Sequence, residues 1–151
     1  MKMKKLSLLI VAILFTVVST HAQILNPVKW SVATKKTSNT EAIVYIKATI
    51  DKGWHIYSQN VGEGGPVATS FSFTPSKDFT LAGKTAEPTP KSKYEDAFKM
   101  NVKFFEKEVI FAQKVKLKKG QTAVKGKVEF MVCDDSRCLP PDEYAFTAQI
   151  K

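Results

Sequence analysis

Apolar and polar side chains alternate with a period of two along much of the chain. The plainest run covers residues 41–50, where Ala42, Val44, Ile46, Ala48 and Ile50 alternate with Glu41, Ile43, Tyr45, Lys47 and Thr49. Successive side chains of a strand point to opposite faces, so this pattern predicts a strand with one face in a core. The same alternation marks Trp54-His55-Ile56-Tyr57, Phe71 with Phe73, the set Val109, Phe111, Val115 and Leu117, and a run from Lys127 to Val132. A last strand is predicted from Glu143 to Ile150. Turn material separates these runs, as in Asp51-Lys52-Gly53, Gly62-Glu63-Gly64-Gly65-Pro66 and Lys118-Lys119-Gly120. Beyond residue 22 no segment carries a helical stripe. The expected class is all-β, an antiparallel β-sandwich, with a small barrel as the alternative that periodicity does not separate.

Two stretches break the pattern. At the N-terminus, Lys2, Lys4 and Lys5 precede the apolar run Leu6 to Val18, and Thr20-His21-Ala22 follows as a small-residue cleavage site. Residues 1–22 therefore read as a secretory signal peptide removed before Gln23. The apolar run is shorter than the roughly 20 residues that a bilayer span requires, so no membrane span is expected after cleavage. No cysteine follows it to take a lipid. Residues 23–151 suffice for one domain with its own core, in an oxidising compartment such as a bacterial periplasm. The second break, Gly83 to Asn101, is rich in lysine and proline with little strand signal, and is expected to be a long functional loop.

Charge changes this picture little. The chain carries 23 Lys and Arg against 14 Asp and Glu, and the leader holds three of the lysines. The surplus that remains is moderate and scattered, as expected of a solvated surface, with acidic partners or a membrane surface as the alternative and no nucleic-acid partner expected.

The candidate chemistry lies in Cys133-Asp134-Asp135-Ser136-Arg137-Cys138-Leu139-Pro140-Pro141, which holds both cysteines of the chain. A bond between them closes a short loop, whereas a disulfide restrains the unfolded chain more when its loop is long, so a redox role competes with a structural one. Asp134 and Asp135 disfavour a thiolate at Cys133, while Arg137 favours one at Cys138, which ranks Cys138 as the nucleophile. The effect is modest, since unit charges about 4 Å apart in water interact by roughly 1 kcal/mol. Two thiols with this spacing match no zinc pattern, and neither a metal nor a cofactor is expected. Within residues 83–101, Tyr94, Phe98 and Met100 lie among Glu95 and Asp96, the composition of a cap over a reactive pair, with a carboxylate to move protons. The same residues also suit ordinary core filling and surface charge.

Taken in order, the Asp51-to-Tyr57 strand, Tyr94-Glu95-Asp96-Ala97-Phe98, and the Cys133-to-Pro141 segment resemble the N-terminal periplasmic domain of the thiol:disulfide interchange protein DsbD. The resemblance covers about Asn26 to Lys151, and its most specific element is the Cys-loop-Cys-Leu-Pro-Pro stretch. It implies an immunoglobulin-like sandwich whose cysteine pair shuttles electrons through mixed disulfides. Carried over, Cys138 makes the intermolecular bond and Cys133 resolves it. Phe98 becomes the cap phenylalanine, Asp96 the acidic residue beside it, and Tyr57 an aromatic residue near the site; a second acidic position falls on Glu95 or is lost at Ala97.

The chain departs from the family pattern in having four residues, not five, between its cysteines. The implied donor is a thioredoxin-like domain or a DsbD-type transmembrane reductase, and the implied acceptors are oxidised periplasmic thiol proteins, including those of copper or haem-protein maturation. Because the chain stops at Lys151, the electron source is expected to be a separate protein, and turnover as an enzyme requires both partners. The competing expectation is a secreted immunoglobulin-like binding or adaptor module with a purely structural disulfide.

Overall fold

The structure, a computed structural model, describes residues 24–151 and contains eleven strands and no helix among them. The expected leader lies outside the described residues. Among those described, no helix is long and apolar enough to cross a membrane.

The strands are β1 (Val28–Lys36), β2 (Glu41–Ile50), β3 (His55–Tyr57), β4 (Ser70–Phe73), β5 (Phe79–Leu81), β6 (Lys91–Glu95), β7 (Met100–Phe105), β8 (Glu108–Leu117), β9 (Thr122–Phe130), β10 (Val132–Cys133) and β11 (Asp142–Ile150). They form three antiparallel sheets, ordered β1-β2-β8-β5, β11-β9-β4 and β10-β3-β7-β6. The first two sheets supply the two walls of the sandwich. Their inward residues, Val44, Ile46, Phe111 and Val115 on one side and Val124, Phe130, Phe146 and Ile150 on the other, form one core with Ile56, Phe105 and Val132 of the third sheet. The alternation read from residues 41–50 is borne out, because Ala42, Val44, Ile46, Ala48 and Ile50 are all buried.

Two close approaches fix the sheets. Gly126 sits between β4 and β11, where a Cβ would lie 2.5 Å from the Ser72 carbonyl oxygen and 2.8 Å from the Phe146 ring. Gln113 occupies an inward position of β8 and is buried. Its amide donates to the Gly83 and Lys114 carbonyls at 3.0 and 2.9 Å and accepts from the Thr85 hydroxyl at 2.8 Å, which satisfies its polar atoms.

These bonds pin the start of the segment expected to be a long loop. The structure departs from that expectation: Ala86 bridges Ala112, and β6 and β7 form a hairpin closed by the turn Asp96–Lys99, with Lys99 in the left-handed region at φ 55°. The run expected to continue from Lys127 to Val132 is also divided. β9 pairs with β11 and ends at Phe130, and after Met131 the chain crosses to the third sheet as β10.

Candidate functional site

The third sheet presents one face to the main core and the other to the cysteines. The register Val132↔Ile56↔Phe105 places those three residues on the core face. The adjacent pairs, Cys133 with His55 and Tyr57 with Phe104, then fall on the opposite face, since side chains alternate along a strand. The pairing of β6 with β7, Lys93↔Val102 and Glu95↔Met100, continues that face. β3 is buried on both faces, which is why all three of its residues are inaccessible.

Cys133 and Cys138 are joined in a disulfide, with Cα atoms 4.0 Å apart across an isolated bridge. Asp134 folds the loop between them. Its Oδ1 accepts from the Ser136 and Arg137 amides at 2.8 Å each and from the Ser136 hydroxyl at 3.0 Å. These bonds, led by the Ser136 amide, hold the Asp134 carboxyl below the usual carboxylate range. The Leu139 amide returns to the Val132 carbonyl at 2.9 Å. The loop thus presents the sulfurs unequally: Cys133 is 1% exposed, whereas Cys138 stands in the solvent-exposed part of the loop.

Beneath Cys133 lies a buried polar cluster. The Tyr57 hydroxyl donates to Glu95 Oε2 at 2.7 Å, and the His55 Nε2 lies 3.1 Å from that hydroxyl and 2.9 Å from Glu95 Oε1. Lys93 Nζ is 3.2 Å from Glu95 Oε1 and 4.8 Å from the centre of the Phe104 ring. Glu95 Oε1 is buried and, despite these two close nitrogens, receives no hydrogen bond of good alignment. Burial first, then the Lys93 ammonium, lower the His55 pKa below its ordinary value, against the opposing pull of Glu95 and Asp135. Burial also raises the Tyr57 phenol, helped by its bond to Glu95, so it stays protonated. Tyr57 is fixed from behind, where its carbonyl accepts the Thr69 hydroxyl; the next residue, Ser58, donates its hydroxyl to Glu87.

The hairpin turn covers this cluster. The Phe98 ring meets Tyr57 edge-on, with centroids 6.1 Å apart, and packs with Val61, Met100 and Met131 around Cys133, Tyr57, Val102 and Phe104. Phe98 thus packs against the cluster that contains the buried Cys133, while Cys138 is exposed.

The remaining sequence-derived residues sort by position. A cleft of about 490 Å³ brings together Cys133, Cys138, Glu95, Asp96, Tyr94 and Arg137. Asp96 sits at its mouth with a side chain 90% exposed and only a distant partner, Lys99 Nζ at 3.9 Å. Glu95, the neighbour given the lesser role, is the more enclosed carboxylate, with a side chain 12% exposed. Tyr94 lies on the opposite face of β6 and is exposed. The Arg137 guanidinium lies over the Trp54 ring at 5.7 Å and 3.7 Å from Asp134 Oδ2, so its charge is shared rather than aimed at Cys138 alone. His55 and Lys93 escaped the sequence reading. The available signal was a histidine two residues before Tyr57, at the same-face spacing of a strand with no exposed position.

Against known proteins, the family model described as thiol:disulfide interchange protein DsbD, N-terminal, matches residues 21–150. No curated protein matches the chain. Among solved structures, the chain is similar to the N-terminal periplasmic domain of ScsB from Proteus mirabilis, with 21% identity, a TM-score of 0.56, and coverage of 80% of this chain. It spans 44% of that structure's chain, under half its length. It is also similar to the reduced DsbD N-terminal domain of Neisseria meningitidis, at 15% identity and TM-score 0.52 over 77% of this chain and 82% of that one. A third similarity is to the complex between the DsbD and PilB N-terminal domains of the same organism, at 14% identity and TM-score 0.54 over 83% and 87% of the two chains. These likenesses show a shared fold, the immunoglobulin-like β-sandwich that the resemblance implied.

Proposed function

The chain belongs to the DsbD N-terminal family, and we propose that it relays electrons in the periplasm by thiol–disulfide exchange at Cys133 and Cys138. The observation that carries this reading is the unequal exposure of one disulfide, with Cys133 buried and Cys138 open. Exchange requires a thiolate to reach one sulfur while the other departs, so access selects Cys138 as the sulfur attacked. The selection does not depend on the weaker charge argument.

In the reductive direction, a thiolate of a thioredoxin-like donor bonds to Cys138 Sγ, and the Cys133–Cys138 bond breaks with its electron pair on Cys133. The donor's second thiol then resolves the mixed disulfide and leaves the dithiol. In the forward direction, Cys138 attacks the disulfide of an oxidised periplasmic protein, and Cys133 displaces that protein's sulfur. Phe98 keeps small thiols from Cys133, and Asp96, an exposed carboxylate of the same cleft, exchanges protons with an incoming thiol. Support for a protein partner comes from the Neisseria DsbD domain, which forms a complex with a PilB domain.

Trapping tests the assignment. Cys133→Ala leaves Cys138 without its resolving thiol and should accumulate a mixed disulfide with a thioredoxin-like domain whose single cysteine has been activated as a mixed disulfide with thionitrobenzoate, the thionitrobenzoate leaving as its thiolate. Cys138→Ala should accumulate none. Equal trapping by the two variants, or trapping only through Cys133, contradicts the roles.

A further inference from the structure

We propose that His55 carries the counter-charge of Cys133 during exchange, binding one proton when the disulfide opens and releasing it when the disulfide re-forms. The proposal deepens the exchange reading and rests on it for its purpose.

Opening the disulfide at Cys138 leaves the electron pair on Cys133, a residue only 1% exposed. An unpaired charge is costly in such a place, so a proton or a cation must accompany it. Topology decides which group is at hand. In the order β10-β3-β7-β6, the strand beside Cys133 is β3, and the residue directly opposite is His55, itself 4% exposed. Opposed residues of an antiparallel pair hold their Cβ atoms roughly 4.5–5.5 Å apart on one face. Lys93 lies on β6, the far strand of the sheet from Cys133. Arg137 is exposed and shared between Asp134 and Trp54.

The surroundings of His55 suit a site that changes protonation. With the disulfide closed, burial and Lys93 keep the imidazole neutral, leaving it able to accept a proton. Glu95 Oε1, buried and without a well-aligned donor, lies 2.9 Å from Nε2 and would stabilise an imidazolium. Tyr57 on the same strand bonds Glu95, Asp135 faces the imidazole from the cysteine loop, and Glu106 feels its charge from the end of β7. Among these groups, Lys93 alone is a cation.

The donor sulfur bonds to Cys138 Sγ, the Cys133–Cys138 bond breaks, and its electron pair becomes the Cys133 thiolate. One proton from solvent binds His55, giving a thiolate–imidazolium pair. When Cys133 next attacks a mixed disulfide, that pair is discharged and the proton returns to solvent.

The test uses Cys138→Ser, which leaves Cys133 as a lone thiol with no partner protein needed. Thiolate absorbance near 240 nm and the imidazole resonances of His55 are followed against pH. Thiolate should appear at least one pH unit lower than in the C138S/H55Q double variant. His55 should also titrate at least one unit higher in C138S and in the chemically reduced wild-type domain than in the oxidised domain. Unchanged His55 titration on reduction overturns the proposal, even if the double variant fails to fold. An unchanged thiolate onset in a folded double variant overturns it as well. A coupled His55–Cys133 pair in a domain that traps no partner would sink the exchange reading and leave the coupling standing.

Discussion

Removing the Tyr57 hydroxyl tests whether the floor of the site is the polar cluster described. Tyr57 is fully buried and donates at 2.7 Å to Glu95 Oε2. Glu95 has a side chain only 12% exposed. A hydrogen bond to a charged group contributes about 1.5–3 kcal/mol, and a stranded buried acceptor adds its desolvation cost. Tyr57→Phe keeps the ring that packs against Phe98 and His55, so the loss reports the hydroxyl rather than a cavity. We expect it to destabilise the oxidised domain by about 2 kcal/mol, a fall in Tm of roughly 4–10 °C. Glu95→Ala removes contacts to three side chains at once, so a double-mutant cycle is needed to isolate the pair. Urea unfolding of the wild type, both single variants and Y57F/E95A should give a coupling energy of about 1.5–3 kcal/mol. Single-variant effects that add to within about 0.5 kcal/mol would refute the claim that the two groups act together in solution.

Three further outcomes are expected. Phe98→Ala should speed reduction of the disulfide by a small thiol about tenfold, equivalent to ~1.4 kcal/mol of barrier, with an unchanged fold by circular dichroism; an unchanged rate would remove Phe98 from its shielding role. Gly126→Ala should cost about 1–3 kcal/mol by overpacking, read as a lower urea midpoint, because the Ser72 carbonyl and Phe146 ring occupy the space a Cβ needs. Asp134 has its pKa lowered in the folded state. Its bonds therefore stabilise the loop above the unfolded carboxylate pKa of about 3.9 and are lost as pH falls through the lower folded value. Asp134→Asn should speed hydrogen exchange at the Ser136 and Arg137 amides at neutral pH, and the difference from wild type should close as the medium becomes more acid than pH ~3.9.

The strands of the main sandwich were legible because burial on one face writes itself as alternation, as in β2 and β8. β6 was not, because Lys91-Ser92-Lys93-Tyr94-Glu95 is polar on both faces and is a strand only through its pairing with β7. The change of sheet at Met131 was equally hidden. Phe130 and Val132 both face the core, so the period continues across the break. The cysteines, Phe98 and Tyr57 could be read as one site from the order of their motifs. The division of labour between Glu95 and Asp96 could not, since it depends on where β6 ends. Glu95 is its last residue and points to the His55 face, while Asp96 opens the turn and points to water. His55 remained unread because a histidine in an apolar strand announces neither its neighbour across the sheet nor the carboxylate two strands away.

An exchanged Cys133–Cys138 bond and a merely structural one differ in reduction potential. The potential of this pair in a domain of residues 23–151, obtained by equilibration in thiol–disulfide buffers with alkylation and mass readout, separates the two. Exchange-active pairs such as those of thioredoxin and protein disulfide isomerase fall between roughly −180 and −270 mV, and a value in that window is expected. A value below about −300 mV would contradict it and mark the bond as a structural staple.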